Sequence, residues 1–360
     1  MAYTTINKPS DYFNTKLYNQ NATGSHAITG VGHQPDLLWS KDRSSGSRNH
    51  RIVDAVRGVG KLLKVDGTAD EDTEADTLTS FDSDGFTLGA DANDYGLNGD
   101  NGNSTVAWSW KAGTSFTNDA SVTGIGSIDS SGSVSDASGF SIVSYTGTGS
   151  AGTIKHGLSA APNFMIVKNR DAARSWNVYF GDSTDYMYLN DTAAAADYNE
   201  IWNDTTPTTS VFSVGTDNGV NQSGEKYIAY IFADVKGYSK VGGSYTGNDN
   251  ANGTFVYTGF APAWVMIKRT NSVNDWIILD RKRNPINPSN ERILANTSAA
   301  ASTANTMVDF LSNGFKPRST YGGINGASDN FIYMAFAESP FVTSSGVPAC
   351  ARWLCSYLLT

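Results

Sequence analysis

The chain predicts an all-β protein of three tandem β-sandwich modules, jelly-roll or lectin-like, each about 100 residues long. Three observations lead there. A Tyr, a Pro 17 residues later and a Lys 6 residues beyond it recur as Tyr18/Pro35/Lys41, Tyr145/Pro162/Lys168 and Tyr245/Pro262/Lys268. Each triplet is followed by a short apolar strand of one pattern: Val106-Ala107-Trp108-Ser109-Trp110, Ile228-Ala229-Tyr230-Ile231-Phe232 and Ile332-Tyr333-Met334-Ala335-Phe336. Composition agrees, because 17% charged residues and 36 Gly in 360, with Ser, Thr, Asn and Asp filling much of the rest, suit turn-rich β structure. The period exceeds the roughly 20–50 residues of solenoid units, which cannot bury a face alone, and fits a unit with its own core.

The first module spans 1–113, with a docking segment at 1–19. It opens with a strand at 13–18, and a second strand at 36–41 follows Pro35, where a missing amide hydrogen is tolerated. Gly32, Gly157 and Gly259 precede the three prolines and suit a turn of positive φ. A short helix is expected at 50–63. The stretch 65–84, with Asp66, Asp70, Glu71, Asp72, Glu74, Asp76, Asp82 and Asp84, reads as solvated rather than as a core strand. A hairpin follows at 79–88, and the Trp108/Trp110 strand closes the module. Residues 114–138, poor in apolar side chains and rich in Ser and Gly, read as a flexible linker.

The second module is placed at 139–237 and the third at 238–341, with a tail at 342–360. Near-continuous apolar runs at 163–168 and 263–268 fit strands covered on both faces. Trp176 and Trp276 each lie 14 residues after the module's Pro and read as core, whereas the first module has Asn49 there. A short helix at 298–311 and a hairpin at 308–316 complete the third module. So short a junction between the second and third modules predicts a rigid pair beside which the first can swing. The recurring lysines end apolar strands, where each is expected to lay its stem on the sheet and lift its charge to water.

Chemistry is sparse. A net charge of −9 repels phosphate backbones and anionic surfaces, so neither nucleic acid nor membrane insertion is expected, and no run reaches the length of about 18 apolar residues that a span requires. None of the four histidines, His26, His33, His50 and His156, has metalloprotease spacing, and Gly58-Val59-Gly60-Lys61-Leu62 lacks the first Gly and the Ser/Thr of a phosphate loop. No catalytic residue is assigned. Cofactors are expected to be none, with calcium as the best candidate: Asp82, Asp84, Asp91 and Asn93 offer ligands, although acidic turns without metal explain them more simply. Aromatics that do not recur between modules are the candidate ligand contacts: Tyr95, Tyr186, Tyr188, Tyr198, Trp202 and Tyr321.

Several segments resemble repeat modules of virion structural and tail-fibre-like proteins from marine tailed bacteriophages. They include Thr79-Ser80-Phe81-Asp82-Ser83-Asp84-Gly85-Phe86-Thr87-Leu88-Gly89, Gly139-Phe140-Ser141-Ile142-Val143-Ser144-Tyr145-Thr146-Gly147 and Tyr257-Thr258-Gly259-Phe260-Ala261-Pro262-Ala263-Trp264-Val265-Met266-Ile267-Lys268. Ile332-Tyr333-Met334-Ala335-Phe336-Ala337-Glu338-Ser339-Pro340-Phe341 is another. The resemblance implies a non-enzymatic virion surface protein, a tail fibre or receptor-binding fibre, made in the host cytoplasm without a signal peptide. Implied partners are other tail or capsid proteins, a host surface receptor such as a glycan, and two further copies in a homotrimer. A capsid decoration protein or head fibre is the alternative, and a polysaccharide depolymerase the third reading. The tail bearing Cys350 and Cys355 departs from the resemblance.

Overall fold

The structure, a computed structural model, describes residues 3–348; Cys350 and Cys355 lie outside the described residues. Short apolar runs separated by turn residues form antiparallel strands throughout, and the helices among the described residues are single turns of three or four residues. The protein is all-β, and none of its helices is long and apolar enough to cross a membrane.

Three large sheets follow one plan. In the first unit the order is Phe13–Asn19, Ser104–Trp110, Leu37–Asp42, Arg51–Asp54, Lys61–Lys64 and Asp72–Thr73. In the third it is Ser239–Thr246, Asn330–Pro340, Phe260–Arg269, Ile277–Asp280 and Ile293–Leu294. The second repeats this order with Phe140–Thr146, Lys226–Phe232, Phe164–Asn169, Asn177–Tyr179, Asp185–Tyr188 and Ala196–Asp197. Before its opening strand it adds Thr114–Asn118 and Ser130–Ser135, so 114–138 is not the expected linker. Thr114–Asn118, polar and largely exposed, is the edge strand, and Ser130–Ser135 pairs on both sides. Gly32, Gly157 and Gly259 have φ of +90°, +82° and +83°, the turn geometry expected of them. Pro262 sits at a register shift inside its strand, where a missing N–H does least harm.

One face of each large sheet is covered by a small sheet. Ile28, Leu78, Phe86 and Leu88 pack over Leu38, Val53 and Ala107 in the first unit. Ile154, Phe212 and Val214 do so in the second, and Val256, Phe310 and Phe315 in the third. Both expected hairpins form here, as Leu78–Asp82 with Gly85–Leu88 and as Val308–Leu311 with Gly314–Pro317.

The other faces of the three large sheets meet in one shared core drawn from all three units. Trp110, Phe232 and Phe336 occupy matching register positions, opposite Leu37, Phe164 and Trp264. Their rings touch pairwise at 6.2, 5.6 and 5.9 Å, which marks a pseudo-threefold axis. The first unit is therefore packed as tightly as the others and does not swing. The 1–19 segment is likewise committed: Ile6 is buried in the shared core, Tyr3 donates to the Gly259 carbonyl at 2.7 Å, and Asn7 donates to Ser344 at 2.7 Å.

Both expected helices are absent. Residues 50–63 form Arg51–Asp54 and the start of Lys61–Lys64, and 298–311 form loop and then Val308–Leu311. The acidic stretch is only partly solvated, because Leu78 is fully buried and Glu71 is held in ion pairs with Arg57 of its own unit and Arg170 of the second.

Candidate functional site

Each unit grips the preceding one around the ring through three layers of contacts at equivalent positions. The hairpin register aligns Ile52, Val178 and Ile278, opposite Leu63, Met187 and Ile293. Two residues earlier stand His50, Trp176 and Trp276, so the first unit's counterpart of the tryptophans is His50, displaced from Asn49 by one extra residue in its loop. Trp176 Nε1 donates to the Lys64 carbonyl of the first unit, and Trp276 Nε1 to the Tyr188 carbonyl of the second, both at 2.9 Å. His50 Nε2 lies 3.0 Å from the matching Leu294 carbonyl of the third. Burial, then the nearby Lys41 charge, pushes the His50 pKa well below its ordinary value. The ring is thus neutral, with Nδ1 accepting from Trp39 Nε1 at 3.0 Å and Nε2–H free to donate.

The second layer is backbone. Glu71 N donates to Arg170 O at 2.9 Å, Ala195 N to Thr270 O at 2.8 Å and Ala301 N to Arg43 O at 3.0 Å, again at equivalent positions. Lys168 and Lys268, both fully buried, donate from Nζ to Thr68 O at 3.2 Å and Thr192 O at 2.9 Å in the preceding unit. Lys41 is buried too but bonds within its own unit, to Asp42 O at 2.6 Å. The lysines do not lift their charge to water: burial lowers each to a pKa of about 8. The strand ends lie under the neighbouring unit, a cover that local pattern does not report.

The third layer differs between junctions. Tyr230 OH donates to Asp54 at 2.7 Å, and Arg57 pairs with the same carboxylate at 2.5 Å. Arg57 also reaches Glu71 at 3.1 Å, which Arg170 of the second unit clasps at 2.8 and 3.0 Å. Burial alone would raise the Glu71 pKa, but these guanidinium contacts hold it below the usual carboxylate value. The first unit meets the third in the same way, with Trp108 Nε1 donating to Asp280 at 3.1 Å beside Arg283. Where the third unit meets the second, the Asp and Arg positions hold Phe180 and Ser183, and the ring position holds Met334. Met334 belongs to the shared apolar core, and the partly buried Phe180 packs against it.

Within each unit the anchor tyrosines have one task. Tyr18, Tyr145 and Tyr245 donate to the carbonyls of Leu97, Val220 and Ile324 at 2.9, 2.6 and 2.7 Å. The next residue is in each case a buried Asn: Asn98, Asn221 or Asn325 accepts from the backbone of Asn21, Thr148 or Asn248. The repeated triplets Gly96-Leu97-Asn98, Gly219-Val220-Asn221 and Gly323-Ile324-Asn325 would have shown this, as Asp54-x-x-Arg57 and Asp280-x-x-Arg283 would have shown the ion pairs.

The candidate ligand contacts separate into three groups. Tyr186, Tyr188 and Tyr198 come together, with rings 5.0 and 6.3 Å apart, at positions where the other units carry no tyrosine. Tyr95 and Tyr321 lie in the corresponding regions of the other units and are covered by guanidinium groups, Arg51 at 4.6 Å and Arg292 at 4.8 Å. Trp202 is 1% exposed and packs on Tyr179 at 5.9 Å, which removes it as a surface contact.

The calcium candidates are divided among turns that already satisfy them. Asp91 is fully buried and accepts from the backbone of Tyr95, Leu97 and Asn98; Asn93 donates to Glu74. Asp84 accepts from Gly30 and Gly32, and Asp82 from Ser80 and Thr87. Among the described residues, no group of three or more His, Cys, Asp or Glu is placed to hold a metal ion. Three histidines are committed to the framework. His33 bonds Ser10 O at 2.9 Å, His50 is described above, and His156 is held between Thr208 O and Leu158 N.

No curated protein matches the chain. Residues 8–340 match a family described as a domain of unknown function, DUF7483, and the chain belongs to that family.

Proposed function

We propose that the protein is a non-enzymatic surface component of a bacteriophage virion, a tail fibre or receptor-binding fibre that recognises its target through loops on the repeated scaffold. The supporting observation is the division of labour around the ring. The Tyr and Asn contacts recur in all three units and the Lys and Trp contacts in the second and third, whereas the Tyr186/Tyr188/Tyr198 cluster belongs to the second unit alone. A constant framework with one divergent face suits recognition. Purified protein at saturating concentration is expected to block adsorption of the parent phage, and undiminished adsorption would contradict this reading.

The pseudo-threefold axis favours a second reading, capsid decoration, because one chain already presents the symmetry of a threefold site on a shell. Antibody labelling of particles under the electron microscope separates the two: label on the tail supports the fibre, and label on the head supports decoration. Assembly as a homotrimer belongs to the fibre reading. Light scattering that finds one chain at high concentration would remove it.

A further inference from the structure

A cavity of about 350 Å³ opens between the first and second units, lined by Thr68, Arg174, Asn177, Tyr188, Asp217 and Asn218 among others. Its size falls within the roughly 300–1,000 Å³ of small-molecule sites. Asn177 is 1% exposed, yet its Oδ1 has no hydrogen-bond partner among the described residues. A buried amide oxygen left in that state is destabilising unless something donates to it. Arg174 makes no hydrogen bond or ion pair among the described residues, and Asp217 engages only its Oδ1, which accepts from Gly219 N at 2.6 Å. Asn177, Arg174 and Asp217 thus line one cavity with Tyr188.

Comparison of the three units shows that this opening is particular to one of them. Asn177 pairs with Tyr188 in the hairpin register, as Arg51 pairs with Lys64 and Ile277 with Leu294. In the first unit Arg51 stacks on Tyr95 and pairs with Asp72 at 3.4 Å. In the third, Ile277 is fully buried, and Tyr321 stands where the second unit has Asp217. A Cβ built on Gly323 would meet Tyr321 at 2.5 Å and Ile277 at 2.9 Å. One built on Gly219 would meet Asn177 at 2.6 Å and Asp217 at 2.8 Å, so Ile277 and Tyr321, which share their corner with Asn274 Oδ1, are replaced by two polar side chains in the second unit.

We propose that this cavity is a saccharide subsite. Vicinal hydroxyls each donate and accept, which matches an amide oxygen, a carboxylate oxygen and a guanidinium held close together. The apolar face of a pyranose suits an aromatic wall, here Tyr188 with Tyr186 and Tyr198 beside it. The inference rests on the receptor-binding reading and gives its ligand a chemical class.

The test is saturation-transfer NMR on the full chain with methyl glycosides of glucose, galactose, mannose, N-acetylglucosamine and glucuronic acid. Transfer to at least one glycoside is expected. Asn177→Ile, which installs the third unit's residue, and Arg174→Ala, which alters only an exposed side chain, should each weaken binding about tenfold, the order expected for the loss of one hydrogen bond. Transfer to none of the five overturns the subsite, and so does transfer that survives both substitutions. Arg174→Ala keeps the test decisive if Asn177→Ile does not fold. The same samples enter the adsorption assay. Blocked adsorption without glycoside binding overturns the subsite and leaves receptor binding standing, whereas glycoside binding without blocking supports the subsite and overturns receptor binding.

Discussion

The first and second units meet through charge and the second and third through hydrocarbon, although both junctions use the same strands in the same register. At one, Tyr230 and Arg57 converge on Asp54; at the other, Met334, Ser183 and Phe180 hold the equivalent places. The side chains differ as a set, so the ring asks for complementarity across each junction rather than for particular residues. The backbone bonds, from Glu71 to Arg170 and from Ala195 to Thr270, remain the same in both. Geometry is held by the main chain, and the chemistry on it has been free to differ in matched groups.

The largest effect expected from breaking this comparison is at the charged junctions. Asp54→Ala and Asp280→Ala each leave an arginine whose side chain is 0% exposed without its closest carboxylate, which costs about 3–5 kcal/mol. Urea denaturation measures it. Replacing the whole set, Asp54→Phe with Arg57→Ser and Tyr230→Met, should change stability by only about 1 kcal/mol, or increase it, because the fully buried Asp54–Arg57 pair is removed together and Glu71 keeps Arg170. A loss as large as that of Asp54→Ala would show that the set is not interchangeable. Trp176→Phe and Trp276→Phe keep most of the ring but remove one bond to a neighbouring carbonyl, an expected loss of about 1 kcal/mol at both junctions alike.

A further effect concerns pH. Lys41, Lys168 and Lys268 have folded pKa values of about 8, against an ordinary value of 10.5. Between these values the unfolded chain holds more protons, so stability attributable to the lysines rises from pH 8 towards 10.5 and is unchanged by them below 8. Denaturation midpoints at pH 8 and pH 9, where an ordinary tyrosine is still about nine-tenths protonated, should show the rise. In a variant with all three lysines changed to Met it should disappear.

Much of the architecture was legible in the chain. The anchor tyrosines, the strands after each proline, the hairpins and the core role of Trp176 and Trp276 follow from local pattern, because alternation, turn chemistry and spacing are local properties. Ring closure is not local. Trp108 and Tyr230 read as ordinary core residues, and nothing in their neighbourhoods tells that their polar tips reach Asp280 and Asp54 of another unit. For the same reason Lys168 and Lys268 look like exposed strand ends until the neighbouring unit covers them. Ser130–Ser135 looks like linker because the residues it buries between its two neighbouring strands, Ser130, Gly132 and Ser133, are small and not apolar. Of the candidate contacts, Tyr186, Tyr188 and Tyr198 were found by their failure to recur. The same criterion selected Trp202, which is variable but buried, since variability between units does not distinguish a displayed loop from a private piece of core.

Three beads on a string and a closed ring make opposite demands on cooperativity. Hydrogen exchange followed by mass spectrometry across a urea titration, applied to the Asp54→Ala chain, separates them. With one core shared through Trp110, Phe232 and Phe336, the slowest-exchanging amides of Ser104–Trp110, Lys226–Phe232 and Asn330–Pro340 should lose protection at the same urea concentration. Loss in Ser104–Trp110 at lower urea, with the other two strands still protected as in the unsubstituted chain, would contradict the shared core.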